Sequence, residues 1–334
     1  MTVTAARRPR VMSGMRPTGD LHLGHLVGVL TQWAEYSRTA DAFFEIADLH
    51  AYTTEFEDPA KIREARDEMV AVWLAAGVDP TSSTVFLQSG VPEIGELYAL
   101  LSMITPVSWL ERVPTYKSQI DALGAKIATY GFLGYPLLQL CDIAIVRGEY
   151  VPVGRDQVAH LELGREVVRR FNYLYGEGKP VLVEPQPTLS EFPDVPGTDG
   201  RKMSKSYDNA ILISDDEETT TRKVRAMVTD PEKIRRGDPG RPEICPLFAL
   251  WHFVNPDKVD GVAAQCRSGA LGCVQDKSEF AEQLNAYLRP VRERYTMYRR
   301  DPSLVARIVG EGTQRAREIA SGVLADVKRA MQLT

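Results

Sequence analysis

The sequence predicts an α/β protein: a parallel sheet with crossover helices, followed by a part that is helical throughout. Three observations carry this. Short apolar runs alternate with stretches of helical periodicity through the first half of the chain, the rhythm of strands joined by crossover helices. From Asp215 onward the strand-like runs stop and one helical period follows another. Between the two parts, 185–200 is rich in proline, glycine and aspartate and reads as a loop.

The elements follow in order. Val11-Met12-Ser13-Gly14 is an apolar run broken by glycine, the first buried strand. Leu21 to Ala34 carries Leu23, Leu26, Val27, Leu30 and Trp33 at helical spacing. Ala42-Phe43-Phe44-Glu45-Ile46-Ala47 reads as a second strand. Asp58-Pro59 is a helix start, a cap followed by proline at the first position, and Gly77 ends that helix. Thr84 to Gln88 is a third strand and Pro92 to Ile104 a helix. Gly134 to Val146 is apolar with Asp142 in its midst, a charge that is costly there unless paired. Tyr150 to Gln157 precedes a helix from about Val158 to Asn172, and Val181-Leu182-Val183 reads as the last strand. Asp215-Asp216-Glu217-Glu218 caps the next helix, Asp230 to Pro242 is an exposed connection, and Asp301-Pro302-Ser303 starts a final helix running to about Met331. Met103 to Val113 is apolar enough for a subunit interface and equally for core.

The 334 residues suffice for a large core and two domains. At 44% hydrophobic and 25% charged, with no apolar stretch of spanning length and no signal-peptide core after Met1, the chain is expected in the cytoplasm with no membrane partner. A net charge of -5 excludes an all-round basic surface but not a local one. Candidates are Arg222-Lys223 with Arg225, Lys233 to Arg236, and Arg289 to Arg300 with Tyr287, Tyr295 and Tyr298 interleaved; ordinary solvated helix faces would look the same. Cys141 reads as core. Cys245, Cys266 and Cys273 cluster, and in such a compartment they are no disulfide framework.

Two polar runs carry chemistry. Gly200-Arg201-Lys202-Met203-Ser204-Lys205-Ser206 sets two lysines three apart among small hydroxyls, a loop able to bring two ammonium groups to a polyphosphate. Near the start, Arg16-Pro17-Thr18-Gly19-Asp20-Leu21-His22-Leu23-Gly24-His25 puts two histidines at the first turn of a helix. Free backbone N–H groups and the helix dipole favour phosphate there, and Gly24 allows close approach. It is neither a dinucleotide-binding fingerprint nor a Walker loop. Singly, the first run also fits solvated surface and the second a structural or metal-binding fragment; together, in this order, they are far more specific.

These runs resemble the KMSKS and HIGH signatures of class I aminoacyl-tRNA synthetases. Asp142, Val151-Pro152-Val153-Gly154-Arg155-Asp156-Gln157 with His160-Leu161-Glu162-Leu163, and Met227-Val228-Thr229-Asp230 narrow the resemblance to the bacterial tryptophanyl-tRNA synthetases over nearly the whole chain. The resemblance implies a doubly wound, Rossmann-like catalytic domain over 1–215, an all-α anticodon-binding domain over 216–302, and a C-terminal helix at 303–334 returning to the catalytic domain, in a homodimer. It implies activation of L-tryptophan by ATP with Mg²⁺, then transfer to tRNA. His22, His25, Lys117, Lys202 and Lys205 would be catalytic. Arg16, Pro17, Thr18, Gly24, Gly154, Arg155, Asp156, Val195, Met203, Ser204 and Ser206 would join His25 and the two lysines around ATP. Met12, Gly14, His50, Tyr135, Gln139, Asp142, Val151, Val153 and Gln157 would line the tryptophan site, with Asp142 accepting the indole N–H. A tyrosine-specific enzyme and a non-catalytic regulator are the rival readings.

The chain departs from the family pattern at Leu23, His25, Arg16 and Gln139, the last placing a polar group beside the pocket. Some members hold a four-iron cluster on four cysteines of the helical domain. Cys245, Cys266 and Cys273 match three of them, but Asp276 stands at the fourth position. Three thiolates and a carboxylate match an iron–sulfur shell poorly, and zinc accepts oxygen more readily. The expectation is three thiols without a metal.

Overall fold

A computed structural model of the chain describes residues 7–189 and 195–333, with the side chains of Leu123 and Asp156 outside the description. Five strands, β1 (Arg10–Met15), β2 (Asp41–Ile46), β3 (Thr84–Leu87), β4 (Tyr150–Val153) and β5 (Gln186–Leu189), form one parallel sheet in the order β3-β2-β1-β4-β5. The chain winds outward from β1 to β3, then returns to the other side of β1. That reversal opens a crevice at the carboxyl ends of β1 and β4, where ligands bind in doubly wound sheets.

Side-chain alternation along the strands sends residues to two cores. On β2, Ala42, Phe44 and Ile46 enter the first core with Trp33, Trp73 and Val85; Phe43 enters the second with Met12, Phe86, Leu140 and Phe171. Glu45 shares the parity of Phe43. The helices, in chain order, are α1 (Leu23–His25), α2 (Thr31–Thr39), α3 (Asp48–Glu55), α4 (Pro59–Ala76), α5 (Glu93–Ser102), α6 (Val107–Glu111), α7 (Pro114–Leu123), α8 (Tyr130–Ile145), α9 (Val158–Tyr175), α10 (Glu217–Ala226), α11 (Pro246–Val254), α12 (Val259–Arg267), α13 (Cys273–Arg300) and α14 (Pro302–Ala330). A π-helical turn, Leu26–Leu30, links α1 to α2, so the helix predicted from Leu21 to Ala34 is continuous but locally widened. At α4, Asp58 accepts from the Lys61 N–H (3.1 Å), Pro59 occupies the first turn, and Gly77 takes the left-handed conformation at φ 110° that ends the helix.

The last strand is not where periodicity puts it. Val181-Leu182-Val183 forms no strand: the Asn172 side chain accepts from the N–H of Val181 and Leu182 and donates to the Leu182 carbonyl, satisfying the backbone locally. β5 lies in the expected loop instead. Among the described residues it pairs only with β4, and an edge strand tolerates Pro187.

The first core continues from the sheet into the helical part through Leu247, Trp251, Phe280 and Leu284. Part of the basic stretch Arg289–Arg300 holds this junction together, although Arg294 and Arg299 stay partly open to solvent. Tyr295 and Arg299 both bind Glu68, and Arg294 donates to the Ala75 carbonyl at 2.6 Å. The Asp230–Pro242 connection is pinned by Asp230, which is nearly buried and receives the Arg241 guanidinium. The second core takes Ala316, Ala320, Val323 and Val327 from α14. α14 covers the β3 edge closely: a Cβ at Gly312 would run into the Val85 carbonyl, and Thr313 Oγ1 accepts from the Leu87 N–H. Among 103–113, Leu110 and Val113 are core, while Met103 and Val107 are exposed. No helix among the described residues is long and apolar enough to cross a membrane.

Candidate active site

Two adjoining cavities occupy the crevice. The larger, about 400 Å³, is bounded by the ends of β1 and β4, by α8 and by α3. The smaller, about 250 Å³, is bounded by the first helix, Val195 and the lysine loop. His25, Val29, Pro152, Val153 and Gly154 line both and form the seam.

Asp142 dominates the larger cavity. It is 2% exposed, and α8 carries it under the sheet. Its Oδ2 meets His50 Nε2 at 2.8 Å, and its Oδ1 accepts from Gln88 Nε2 at 2.8 Å. The buried charge that the sequence flagged is therefore paired, as burial demands. A second network stands beside it: Thr115 Oγ1, the Tyr135 hydroxyl and His160 Nε2 lie within 2.8 Å of one another, and His160 Nδ1 meets Gln157 Oε1 at 2.8 Å. Met12, Gly14, Gln139, Val151 and Val153 complete the walls with Phe132 and Ile143. All nine residues expected around the amino acid line this one cavity. Arg16 joins them; the residue as a whole is exposed, and the partial burial of its guanidinium against the cavity lowers its pKa.

His22 is the N-cap of α1, and its backbone N–H donates to His25 Nδ1 at 3.2 Å. The two rings meet at 3.9 Å between centroids, tilted by 40° to each other. Burial, with the nearby Lys205 charge, pulls the pKa of His22 down to about 4; burial, His22 and Lys205 pull that of His25 down to about 3. Both imidazoles are thus neutral near pH 7, and each can donate one hydrogen bond without adding charge. His22 Nδ1 is buried and has no protein partner. Gly24 is needed against this ring: a Cβ would lie 3.0 Å from it.

The lysine loop is fastened to this corner. Leu23 N–H donates to the Ile211 carbonyl (2.8 Å) and Ile213 N–H to the Leu21 carbonyl (3.0 Å). Lys205 Nζ donates to the Thr18 carbonyl at 2.9 Å, above Gly19 at φ 109°. Lys202, Met203 and Val195 line the smaller cavity. The loop's shape hangs on Asn209, which is 2% exposed. Its Oδ1 accepts from the Ser204 N–H (2.8 Å), and its Nδ2 donates to Asp199 (2.7 Å) and to the Lys202 carbonyl (3.1 Å). Ser204 caps the turn at Lys205–Tyr207 by accepting from Ser206.

Several expected residues stand off from the cavities. Lys117 is exposed on α7 and lines neither; Gln119 of the same helix lines the larger. Pro17, Thr18, Arg155, Ser204, Lys205 and Ser206 line neither, and the Asp156 side chain lies outside the described residues. Residues not singled out as site residues include Asn209, His160, Gln88 and Glu45. Glu45 had a visible signal, a lone charge inside an apolar strand. Asn209 had none beyond its polar neighbourhood. Asp276 accepts from Trp251 Nε1 at 3.0 Å, so its carboxylate faces the core of the helical part. Among the described residues no group of three or more His, Cys, Asp or Glu is arranged to hold a metal ion.

Residues 4–289 match the model for class I tRNA synthetases of the W and Y type. The chain belongs to this family. It is 45% identical to a tryptophan–tRNA ligase of Thermotoga maritima, over 97% of this chain and 99% of the relative. It is 42% identical to one from Ralstonia nicotianae, over 97% and 98%. The crystal structure of a tryptophanyl-tRNA synthetase from Campylobacter jejuni, complexed with ADP and tryptophan, superposes with a TM-score of 0.87 at 32% identity, over 97% of this chain and 99% of that one. The doubly wound sheet and the helical C-terminal part are thus the family's fold.

Proposed function

We infer that this chain joins tryptophan to its tRNA in two steps, activating the amino acid with ATP and then transferring it to the terminal ribose. The observation that carries the reading is Asp142: a buried carboxylate held by His50 and Gln88 at a cavity of amino-acid size, whose seam opens on a cavity walled by His22, His25, Gly24 and Lys202. Relatives named as tryptophan–tRNA ligases, and a neighbour that binds ADP and tryptophan, support it.

Tryptophan lies in the larger cavity with its indole N–H donating to Asp142. Its carboxylate, at the seam, attacks the α-phosphorus of ATP; the new O–P bond forms as the α–β bridging bond breaks and pyrophosphate leaves. The substrate supplies the nucleophile, so the protein's share is alignment and charge placement. His22 and His25 donate to phosphate oxygens as neutral imidazoles. Lys205 leaves the Thr18 carbonyl and closes with Lys202 on the β- and γ-phosphates, where negative charge builds. The nucleotide brings its own Mg²⁺, which shares that charge. Acyl transfer to tRNA follows, with the helical part reading the anticodon in a homodimer.

The test is ATP–pyrophosphate exchange with each of the twenty amino acids. Strong exchange with tryptophan and far less with tyrosine or phenylalanine is expected. Asp142→Ala should raise KM for tryptophan by about 10- to 100-fold, the cost of a lost buried hydrogen bond, and leave KM for ATP nearly unchanged. A rise in the ATP constant instead would make Asp142 a structural residue.

A further inference from the structure

A second buried carboxyl stands in the larger cavity, and the reaction as described makes no use of it. Glu45 is 2% exposed near the end of β2. Strand register sets it beside Gly14, and a Cβ on that glycine would lie 3.2 Å from Glu45 Oε2. Asp142 approaches it from α8, and Asp48 and His50 from α3; β1 and β3 present only Gly14 and Phe86 beside it. The two acids are unequally served. Asp142 receives His50 and Gln88, whereas Glu45 Oε1 finds no hydrogen-bond donor. Asp48 is engaged elsewhere, accepting from the Ser89 N–H and hydroxyl. Two touching carboxylates without a cation between them do not both stay ionised in a dry site.

We propose that Glu45 is a positioning residue for tryptophan recognition: it stands as a neutral acid, donates its proton in a hydrogen bond to Asp142, and so fixes that carboxylate as the acceptor facing the cavity. Burial, with the charges of Asp142 and Asp48, holds the Glu45 carboxyl well above the usual carboxylate range. The shared proton leaves one net negative charge on the pair. His50 and Gln88 stand on the Asp142 side to meet it. Three donors on three sides then fix where the remaining lone pair of Asp142 points, which is what discrimination between an indole N–H and a side chain lacking one requires. When Glu45 ionises, the donor is lost and a second charge faces Asp142, so tryptophan binding weakens as pH rises.

This inference rests on the assignment of Asp142 to the tryptophan side chain, and its experiment separates the two. kcat/KM for tryptophan is measured by pyrophosphate exchange from about pH 6 to about pH 9.5 for the wild type, Glu45→Gln, Glu45→Leu and Asp142→Ala. The glutamine amide can donate to Asp142 but cannot ionise. Glu45→Gln should stay within about threefold of wild type at neutral pH and lose an alkaline fall that the wild type shows. Tryptophan's own ammonium titrates in every variant, so the difference between profiles is the readout. Glu45→Leu should raise KM for tryptophan by about tenfold and leave KM for ATP alone. Identical alkaline limbs in wild type and Glu45→Gln, or a wild-type constant in Glu45→Leu, overturn the role of Glu45 while Asp142→Ala still impairs tryptophan. An unimpaired Asp142→Ala overturns the assignment of the cavity itself, and this inference with it. If Glu45→Leu fails to fold, the Glu45→Gln profile decides alone.

Discussion

The two cavities are built in opposite ways. The walls of the larger one are buried and half-buried groups tied to each other: Asp142 to His50 and Gln88, and Tyr135 to Thr115 and His160. The smaller is closed by a loop whose residues 204–208 are mostly exposed and whose form depends on one buried asparagine and a contact from Lys205 to Thr18. Few buried contacts make a segment cheap to rearrange, and a dense buried network makes one costly to rearrange. Selectivity needs the second property, because an acceptor that moves cannot reject a ligand lacking the donor. Charge delivery to a leaving group needs the first, because the charge must arrive late and let the product go.

The sharpest way to break this comparison is at the loop's charge. Lys205→Ala should lower turnover by about 10²- to 10³-fold, or about 2–4 kcal/mol of barrier stabilisation, while KM for tryptophan stays put. Equal losses in tryptophan affinity would show the loop to be part of the amino-acid site. A smaller effect is expected at the loop's anchor. Asn209→Ala removes three hydrogen bonds and leaves the half-buried Ser204 N–H and the Lys202 carbonyl without their side-chain partner, so turnover should drop about tenfold with about 1 kcal/mol less stability. Steady-state kinetics alongside a denaturant titration would separate the two. Unaltered kinetics would mean that Ser204 and Lys202 hold the loop's shape without it.

The smallest effect at neutral pH belongs to the histidine pair. The unfolded chain takes up protons on these residues near pH 6.5, whereas the folded chain resists until about 4 at His22 and about 3 at His25. Acid therefore favours unfolding: the stability is present above about pH 6.5 and is lost as pH falls through the folded values. His25→Asn should flatten the fall in thermal midpoint between about pH 6.5 and about pH 4. An unchanged slope would locate the acid sensitivity elsewhere.

Much of this was legible before any coordinates. The Asp58-Pro59 cap, the Gly77 stop, the apolar run of β2 and the helical period of α4 each depend on neighbours within a few residues, and each is where the sequence predicts it. Asp142 was legible as well, because a charge in an apolar helix demands a partner, although the sequence does not name His50 and Gln88. Glu45 carries the same signal in a strand, but the apolar residues around it mark only the strand β2 and name no partner for it.

What the sequence determined alone is what local chemistry encodes: the order of most elements, the parallel sheet, the helix start at His22–His25 and the polar run of the lysine loop. The tertiary structure decided everything that depends on which distant groups meet. Asn172 satisfies the backbone at Val181 and Leu182, so the last strand forms at Gln186–Leu189. Glu68 captures Tyr295 and Arg299, so a stretch that reads as a basic surface becomes a joint. Glu45 and Asp142 come together only because α8 packs on the face of the sheet to which β2 turns Phe43 and Glu45. Periodicity records which side of an element is apolar, but the partner of a polar group is set by chain closure across tens or hundreds of residues, and no local pattern carries that information.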